Sequence, residues 1–213
     1  MKKYVVLLTY LLSTTGLYAQ GRLGMQISPA ISFGRVHTEP NNSNFSSPGA
    51  KLRFRLGAIY DYTFQDNYNL STGLFYATHQ FSIKKETQPQ IEEAHELHYL
   101  QVPLLLKFYT SEITLDARIY AKLGITGQIK LTSRNTELKD GVEVFIDDFR
   151  RWGLTGLVGA GVEYDTSFST SIFAGISYQP GFVNIIGTKR QSTFSSQVLG
   201  YADLINIDLG ARF

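Results

Sequence analysis

The sequence predicts an all-β chain, an eight-stranded antiparallel up-and-down transmembrane β-barrel. Three observations carry this reading. Apolar and polar residues alternate through eight stretches between about Arg22 and Phe213, the connections alternate between short and long, and a leader for export precedes them. A strand crossing lipid shows hydrocarbon to one face and a polar interior to the other, so a period of two is its signature.

Residues 1–19 have the layout of a secretory signal peptide, leaving 20–213 as the barrel domain. Lys2 and Lys3 precede the apolar run Tyr4 to Leu12, and small and polar residues then lead to a cut between Ala19 and Gln20. The run is too short to serve as a membrane-spanning helix.

The strands are then read as Arg22–Arg35, Lys51–Phe64, Tyr68–Ile83, His95–Tyr109, Ala117–Leu138, Val142–Tyr164, Phe168–Gly181 and Tyr201–Phe213. The fifth shows the alternation best. Ala117, Ile119, Ala121, Leu123, Ile125, Ile129 and Leu131 share one parity; Arg118, Tyr120, Lys122, Thr126, Gln128 and Lys130 share the other. A helix would need spacing near 3.6, which is absent.

Gln65-Asp66-Asn67, Ser111 to Asp116 and Asp165-Thr166-Ser167 are turns of the Asp/Asn/Ser kind. Val36 to Ala50, Lys84 to Ala94 and Phe182 to Gly200 are longer and polar. Outer-membrane barrels pair short periplasmic turns with long external loops, which places both termini in the periplasm. Asp140-Gly141 is a two-residue hairpin signal between the fifth and sixth strands. Arms extended to that turn have about 22 residues each, roughly 70 Å of strand or about 50 Å of height when tilted. The apolar belt is only about 25 Å tall, so this hairpin is expected to project beyond the membrane.

The aromatic residues fall near strand ends. Tyr60, Tyr62, Phe64, Tyr68, Phe108, Tyr109, Tyr164 and Phe168 suit an inner girdle, and Phe33, Phe54, Tyr76, Phe81, Trp152 and Tyr178 an outer one. Cysteine is absent, which excludes a disulfide framework. Without Lys2 and Lys3 the 20 basic residues fall to 18 against 18 acidic ones, so charge offers no argument for a nucleic-acid partner.

The inward parity of these strands carries Arg53, Arg55, Asp61, Lys107, Arg118, Lys122, Glu163, Asp208 and Arg212. An eight-stranded barrel has room only for side chains, so these groups are read as a polar network of ion pairs filling the interior. Catalytic and metal constellations are weak. His95 and His98 lie near Glu92, Glu93 and Glu96, but residues three apart on a strand face opposite ways. His79 points inward with no serine to pair with. Gly153, Gly156, Gly159 and Gly161 precede no helix that could hold a phosphate. No cofactor and no metal are expected. Interaction is assigned instead to the projecting hairpin, through Lys139, Asp140, Gly141, Glu143, Asp147 and Asp148.

The block His98-Tyr99-Leu100-Gln101-Val102-Pro103-Leu104-Leu105-Leu106-Lys107-Phe108 resembles a strand of PorT-like outer-membrane barrel proteins of the Bacteroidetes. Tyr120-Ala121-Lys122-Leu123-Gly124, Gly159 to Tyr164 and Leu209 to Phe213 extend the similarity over most of the mature chain. The resemblance implies an eight-stranded outer-membrane barrel of a Gram-negative bacterium, in a family whose namesake is linked to type IX protein secretion. Phe213 is similar to the terminal aromatic read by the outer-membrane assembly machinery.

The function expected is a monomeric, non-enzymatic scaffold for envelope or surface interactions, with outer-membrane lipid and lipopolysaccharide as neighbours and envelope or secretion proteins as partners. A lipid-modifying outer-membrane enzyme, a narrow channel and a soluble lipocalin-like binder are the alternatives.

Overall fold

One antiparallel sheet closes on itself. The computed structural model describes residues 21–39, 45–46, 49–85, 91–114, 116–135, 149–167, 169–186 and 197–213. The strands among them are β1 (Gly21–Glu39), β2 (Phe45–Ser46), β3 (Lys51–Gln65), β4 (Tyr68–Lys85), β5 (Ile91–Tyr109), β6 (Ala117–Asn135), β7 (Trp152–Asp165), β8 (Ser171–Gln179) and β9 (Gln197–Arg212). The ladder runs β4-β3-β1-β9-β8-β7-β6-β5, and pairing of β4 with β5 makes it an eight-stranded barrel. β2 is a two-residue stub on the far end of β4, opposite Lys84 and Lys85. The leader, the Asn41-Asn42 segment of the first long connection, Phe168, and the hairpin residues Lys139, Asp140, Gly141, Glu143, Asp147 and Asp148 lie outside the described residues.

The alternation in sequence becomes two surfaces. On β6, Leu123 and Ile125 face outward while Lys122 and Thr126 are buried inside. A barrel hydrogen-bonds every strand to two neighbours, which is what backbone in hydrocarbon requires. Tyr60, Phe64, Tyr68 and Tyr164 stand outward at the end with the short turns, and Phe54, Tyr76, Trp152 and Tyr178 outward toward the other. Tyr109 and Phe81, expected in those girdles, are instead inside. Their odd numbers on β5 and β4 share the inward parity of Lys107 and His79, so they fill the lumen.

The register of β6 on β7 pairs Ala117 with Tyr164 and Ile129 with Trp152, and so is symmetric about Asp140-Gly141. Lys130 N still donates to Arg151 O at 2.8 Å in that register, and before it Phe149 bridges to Ile186. Val142, the expected start of the sixth strand, lies outside the described residues, among which this strand runs Trp152–Asp165. An extra residue, Leu131, bulges on β6 where His98 pairs with Thr132 and Tyr99 with Lys130.

β8 stops at Gln179, earlier than the expected Gly181, because Pro180 has no N–H for the ladder. The chain then hooks over the mouth. Gly156 N donates to Pro180 O at 2.9 Å, Arg150 N to Ile185 O at 2.8 Å and Ile185 N to Gly200 O at 2.9 Å. This carries Ile185 and Ile186 into an apolar cluster with Phe81, Leu97, Tyr99, Phe149 and Ala202. Gly200 is required there, since a Cβ would sit 2.7 Å from the Phe81 ring.

The far end of β4 also leans across the mouth. Its ladder to β3 ends at Arg55 opposite Ala77. Past that point Ser32 of β1 accepts from Gln80 N at 3.0 Å and donates to Gln80 O at 3.1 Å, although β1 and β4 are not ladder neighbours. Thr78 does the same for Phe54, accepting from its N at 3.2 Å and donating to its O at 3.3 Å.

Candidate functional site

The inward residues stack in three tiers from the short-turn end to the long-loop end. In the first, Asp61 (β3) sits between Lys107 (β5) and Arg212 (β9). Lys107 Nζ reaches its two oxygens at 3.0 and 2.7 Å, and Arg212 Nε lies 2.8 Å from Oδ2. Arg212 also pairs with Glu163 of β7 and donates to the Tyr109 hydroxyl at 2.8 Å. Ser171 Oγ donates to the other Glu163 oxygen at 2.9 Å. Slightly further in, Lys122 Nζ holds Asp208 Oδ2 at 2.7 Å, while Gln26 and Ser28 donate to Oδ1 at 2.8 and 2.7 Å. All five ion-paired partners of the two clusters beyond Asp61 are buried like it. A buried charge costs several kcal/mol to desolvate, and such reciprocal pairing is what offsets that cost.

An aromatic wedge accompanies these charges, with Ile59, Phe75, Tyr109, Tyr120 and Phe173 forming one cluster. The Tyr120 side chain reaches across to Gly161 and Gly175, where an added Cβ would lie 2.5 and 2.6 Å from its hydroxyl oxygen. These glycines fit the interior to a large ring.

The second tier is polar and mostly uncharged. Gln101 Nε2 lies 3.1 Å from His79 Nε2 and donates to Gln128 Oε1 at 3.1 Å. Gln179 Nε2 donates to Thr155 Oγ1 at 2.8 Å, and Asn206 Nδ2 to Ser177 Oγ at 3.3 Å. The third tier is the apolar cluster at the mouth.

Three of the sequence-assigned network residues stand apart. Arg118 sits at the short-turn rim, 3.0 Å from Asp165, which also has Arg22 at 3.5 Å. Arg53 lies near the long-loop end and bonds the Gln80 side chain. Arg55 is deep in the barrel, its guanidinium carbon 3.6 Å from the centre of the Phe75 ring, with no carboxylate in ion-pair contact among the described residues.

One carboxylate that sequence reasoning missed is Asp203. Its number puts it on the lipid-facing parity of β9, yet it is fully buried. Arg35 Nε contacts Oδ2 at 2.7 Å and Nη2 donates to Oδ1 at 3.0 Å. The Tyr178 hydroxyl and Gly181 N donate to it at 2.8 and 2.9 Å. This clamp on the outer wall pins the chain where Pro180 ends β8.

His95 and His98 face opposite ways. His95 is inside, its ring 4.8 Å from Phe149, and His98 is outside, bonded to the Tyr76 hydroxyl. His79 is in the lumen against Tyr99, away from any lipid-facing serine.

A closed sheet with an apolar exterior, aromatic residues toward both rims and a charged lumen defines an integral membrane β-barrel. The chain belongs to the family described as outer membrane protein beta-barrel domain, whose profile matches residues 18–187. Among solved structures it is similar to the outer membrane protein OprG from Pseudomonas aeruginosa, with a TM-score of 0.53 and 17% identity over 91% of this chain and 96% of that one. Neisserial surface protein A aligns at a TM-score of 0.49 and 14% identity over 89% of this chain and 95% of that one. Ail of Yersinia pestis, in complex with the heparin analogue sucrose octasulfate, gives 0.44 and 16% over 92% and 100%. No curated protein sequence matches the chain.

Proposed function

We propose that this protein is a non-enzymatic, monomeric outer-membrane scaffold that works through its long connections. The observation that carries the reading is the double obstruction of the lumen, by ion pairs toward the short-turn end and by Phe81, Phe149, Ile185 and Ile186 at the mouth. A barrel of this width filled in this way does not support a large aqueous pore. The work then falls to the loops. The hairpin around Asp140-Gly141 is the foremost of these, because the β6–β7 register is symmetric about that pair.

Residues 1–19 act as the signal peptide, Phe213 addresses the assembly machinery, and the termini lie in the periplasm. Charge supports this orientation. Lys51, Arg134, Arg150 and Arg151 are exposed at the long-loop end, whereas Asp66, Glu112 and Asp116 are exposed at the other. Basic groups at the outer rim suit lipopolysaccharide phosphates. The Tyr99 to Lys107 block supports kinship with PorT-like barrels, and a place beside protein secretion follows from that resemblance alone.

The test has two readouts. Purified barrel in planar bilayers is expected to show no conductance steps, and a deletion strain is expected to keep its lipid A and phospholipid profile. Discrete steps would establish a channel, and altered lipid acylation an enzyme; either outcome overturns the scaffold reading.

A further inference from the structure

Among the described residues the fully buried charges of the lumen do not balance: the cations are Arg55, Lys107, Lys122 and Arg212 and the anions Asp61, Glu163 and Asp208, Asp203 being on the outer wall. Lys107, Lys122 and Arg212 use all three carboxylates. Asp208 is the acid nearest in effect to Arg55, but its oxygens are engaged by Lys122, Gln26 and Ser28. Arg55 is 1% exposed, and its Nε has no hydrogen-bond partner. An uncompensated buried charge of this kind costs several kcal/mol, which selects for something that neutralises it.

The neighbouring wall offers further donors without acceptors. His79 is buried on the same inward face of β4, two positions beyond the Ala77 that pairs with Arg55. Gln101 Nε2 donates one hydrogen to Gln128 Oε1 and the other to His79 Nε2, which puts the imidazole proton on Nδ1, and Nδ1 has no partner. Turning both amides instead leaves the Gln101 NH2 without an acceptor. Either way a second buried donor on the adjoining wall of β4 and β5 is unused. The Tyr99 hydroxyl, whose ring packs on His79 at 5.0 Å, is a third. Asn206 Oδ1, on β9 two strands from the β3 of Arg55, makes no hydrogen bond to it, and the unpartnered amide oxygen of Gln179 is one strand further on, on β8. Flanking Arg55 in register are only Ser28 and Ala77, small side chains that crowd it least.

We propose that Arg55 holds a small monovalent anion of halide size inside the barrel, with His79 or Gln101 as the second donor. One such ion balances the four fully buried cations against the three fully buried lumen anions named above. Lys51 and Arg53 precede Arg55 at alternate positions on the same face of β3, giving a line of basic residues from the outer rim toward the site.

Full-length mature barrel crystallised in sodium bromide tests this directly. Anomalous scattering is expected to show one bromide in hydrogen-bond contact with the Arg55 guanidinium. In solution, the unfolding midpoint of the wild type in detergent is expected to rise with halide at constant ionic strength, held with sulfate, whereas Arg55→Met is insensitive. Site-linked stabilisation should grow with the logarithm of halide concentration above Kd. A wild-type barrel with only water at Arg55 and no bromide signal overturns the proposal, and that measurement stands whether or not Arg55→Met folds. An equal halide response in wild type and Arg55→Met overturns it as well.

Discussion

Removing Lys122 tests whether the lumen is as dry as its ion pairs imply. Lys122→Met keeps the length of the side chain and deletes the ammonium 2.7 Å from Asp208 Oδ2. The carboxylate left behind retains the amide of Gln26 and the hydroxyl of Ser28, and the charge of Arg55 still acts on it. Stranding a buried charge typically costs 3–5 kcal/mol, and these remaining donors place the loss near the low end, about 3 kcal/mol. Asp208→Asn alone strands the ammonium instead. The double variant strands neither group, so it should lose much less than the sum of the two, with a coupling of at least about 1.5 kcal/mol. Urea unfolding in detergent micelles reads this through Trp152, the one tryptophan of the chain. It stands 64% exposed on the outer surface, away from both mutated groups. A loss below about 1 kcal/mol for Lys122→Met, or strict additivity in the double variant, would mean that water screens the pair, as it does at a surface. The lumen would then be wet rather than packed.

Arg35→Met should free the Asp203 clamp without unfolding the barrel. Amide hydrogen exchange is expected to quicken over 178–186 and stay unchanged in β3 and β4, since Gly181 N and the Tyr178 hydroxyl share that carboxylate. Gly161→Ala should cost about 1–3 kcal/mol by overpacking, because its Cβ would meet the Ala174 carbonyl as well as the Tyr120 hydroxyl. Tyr120→Phe should relieve only part of that loss, and urea midpoints of the three variants decide it. Lipids brominated near the headgroup should quench Trp152 more than lipids brominated at the chain end, as its place in the aromatic belt at the long-loop end requires. Equal quenching at both depths would move the belt.

The parity of each strand was legible because the period of two is physical. Lys107, Lys122, Glu163 and Arg212 are inside for the reason the alternation gives. Which charge meets which was not legible. Asp61 and Lys107 lie two strands apart in the wall, and only the stagger of β3, β4 and β5 brings them level. Asp203 was invisible for a different reason. Its burial comes from Arg35 and Tyr178 folding over the outer wall, so parity alone assigns it to lipid. Pro180 was a readable signal for the end of β8, since a residue without an N–H cannot continue an inner ladder. The hook that follows it, which delivers Ile185 and Ile186 to the mouth, depends on bonds to Arg150 and Gly200 that no local pattern announces.

The position of Arg212 and Asp208 on the final strand has a consequence for how the barrel is built. β9 joins β1 on one side and β8 on the other, so its arrival is the step that shuts the cylinder. The same strand brings the guanidinium that ties Asp61 to Glu163 and the carboxylate that answers Lys122. Until then those groups face an open trough that water can enter. Closure and drying are therefore one event, and a chain stalled before its last turn remains a wet, charged sheet that hydrocarbon rejects.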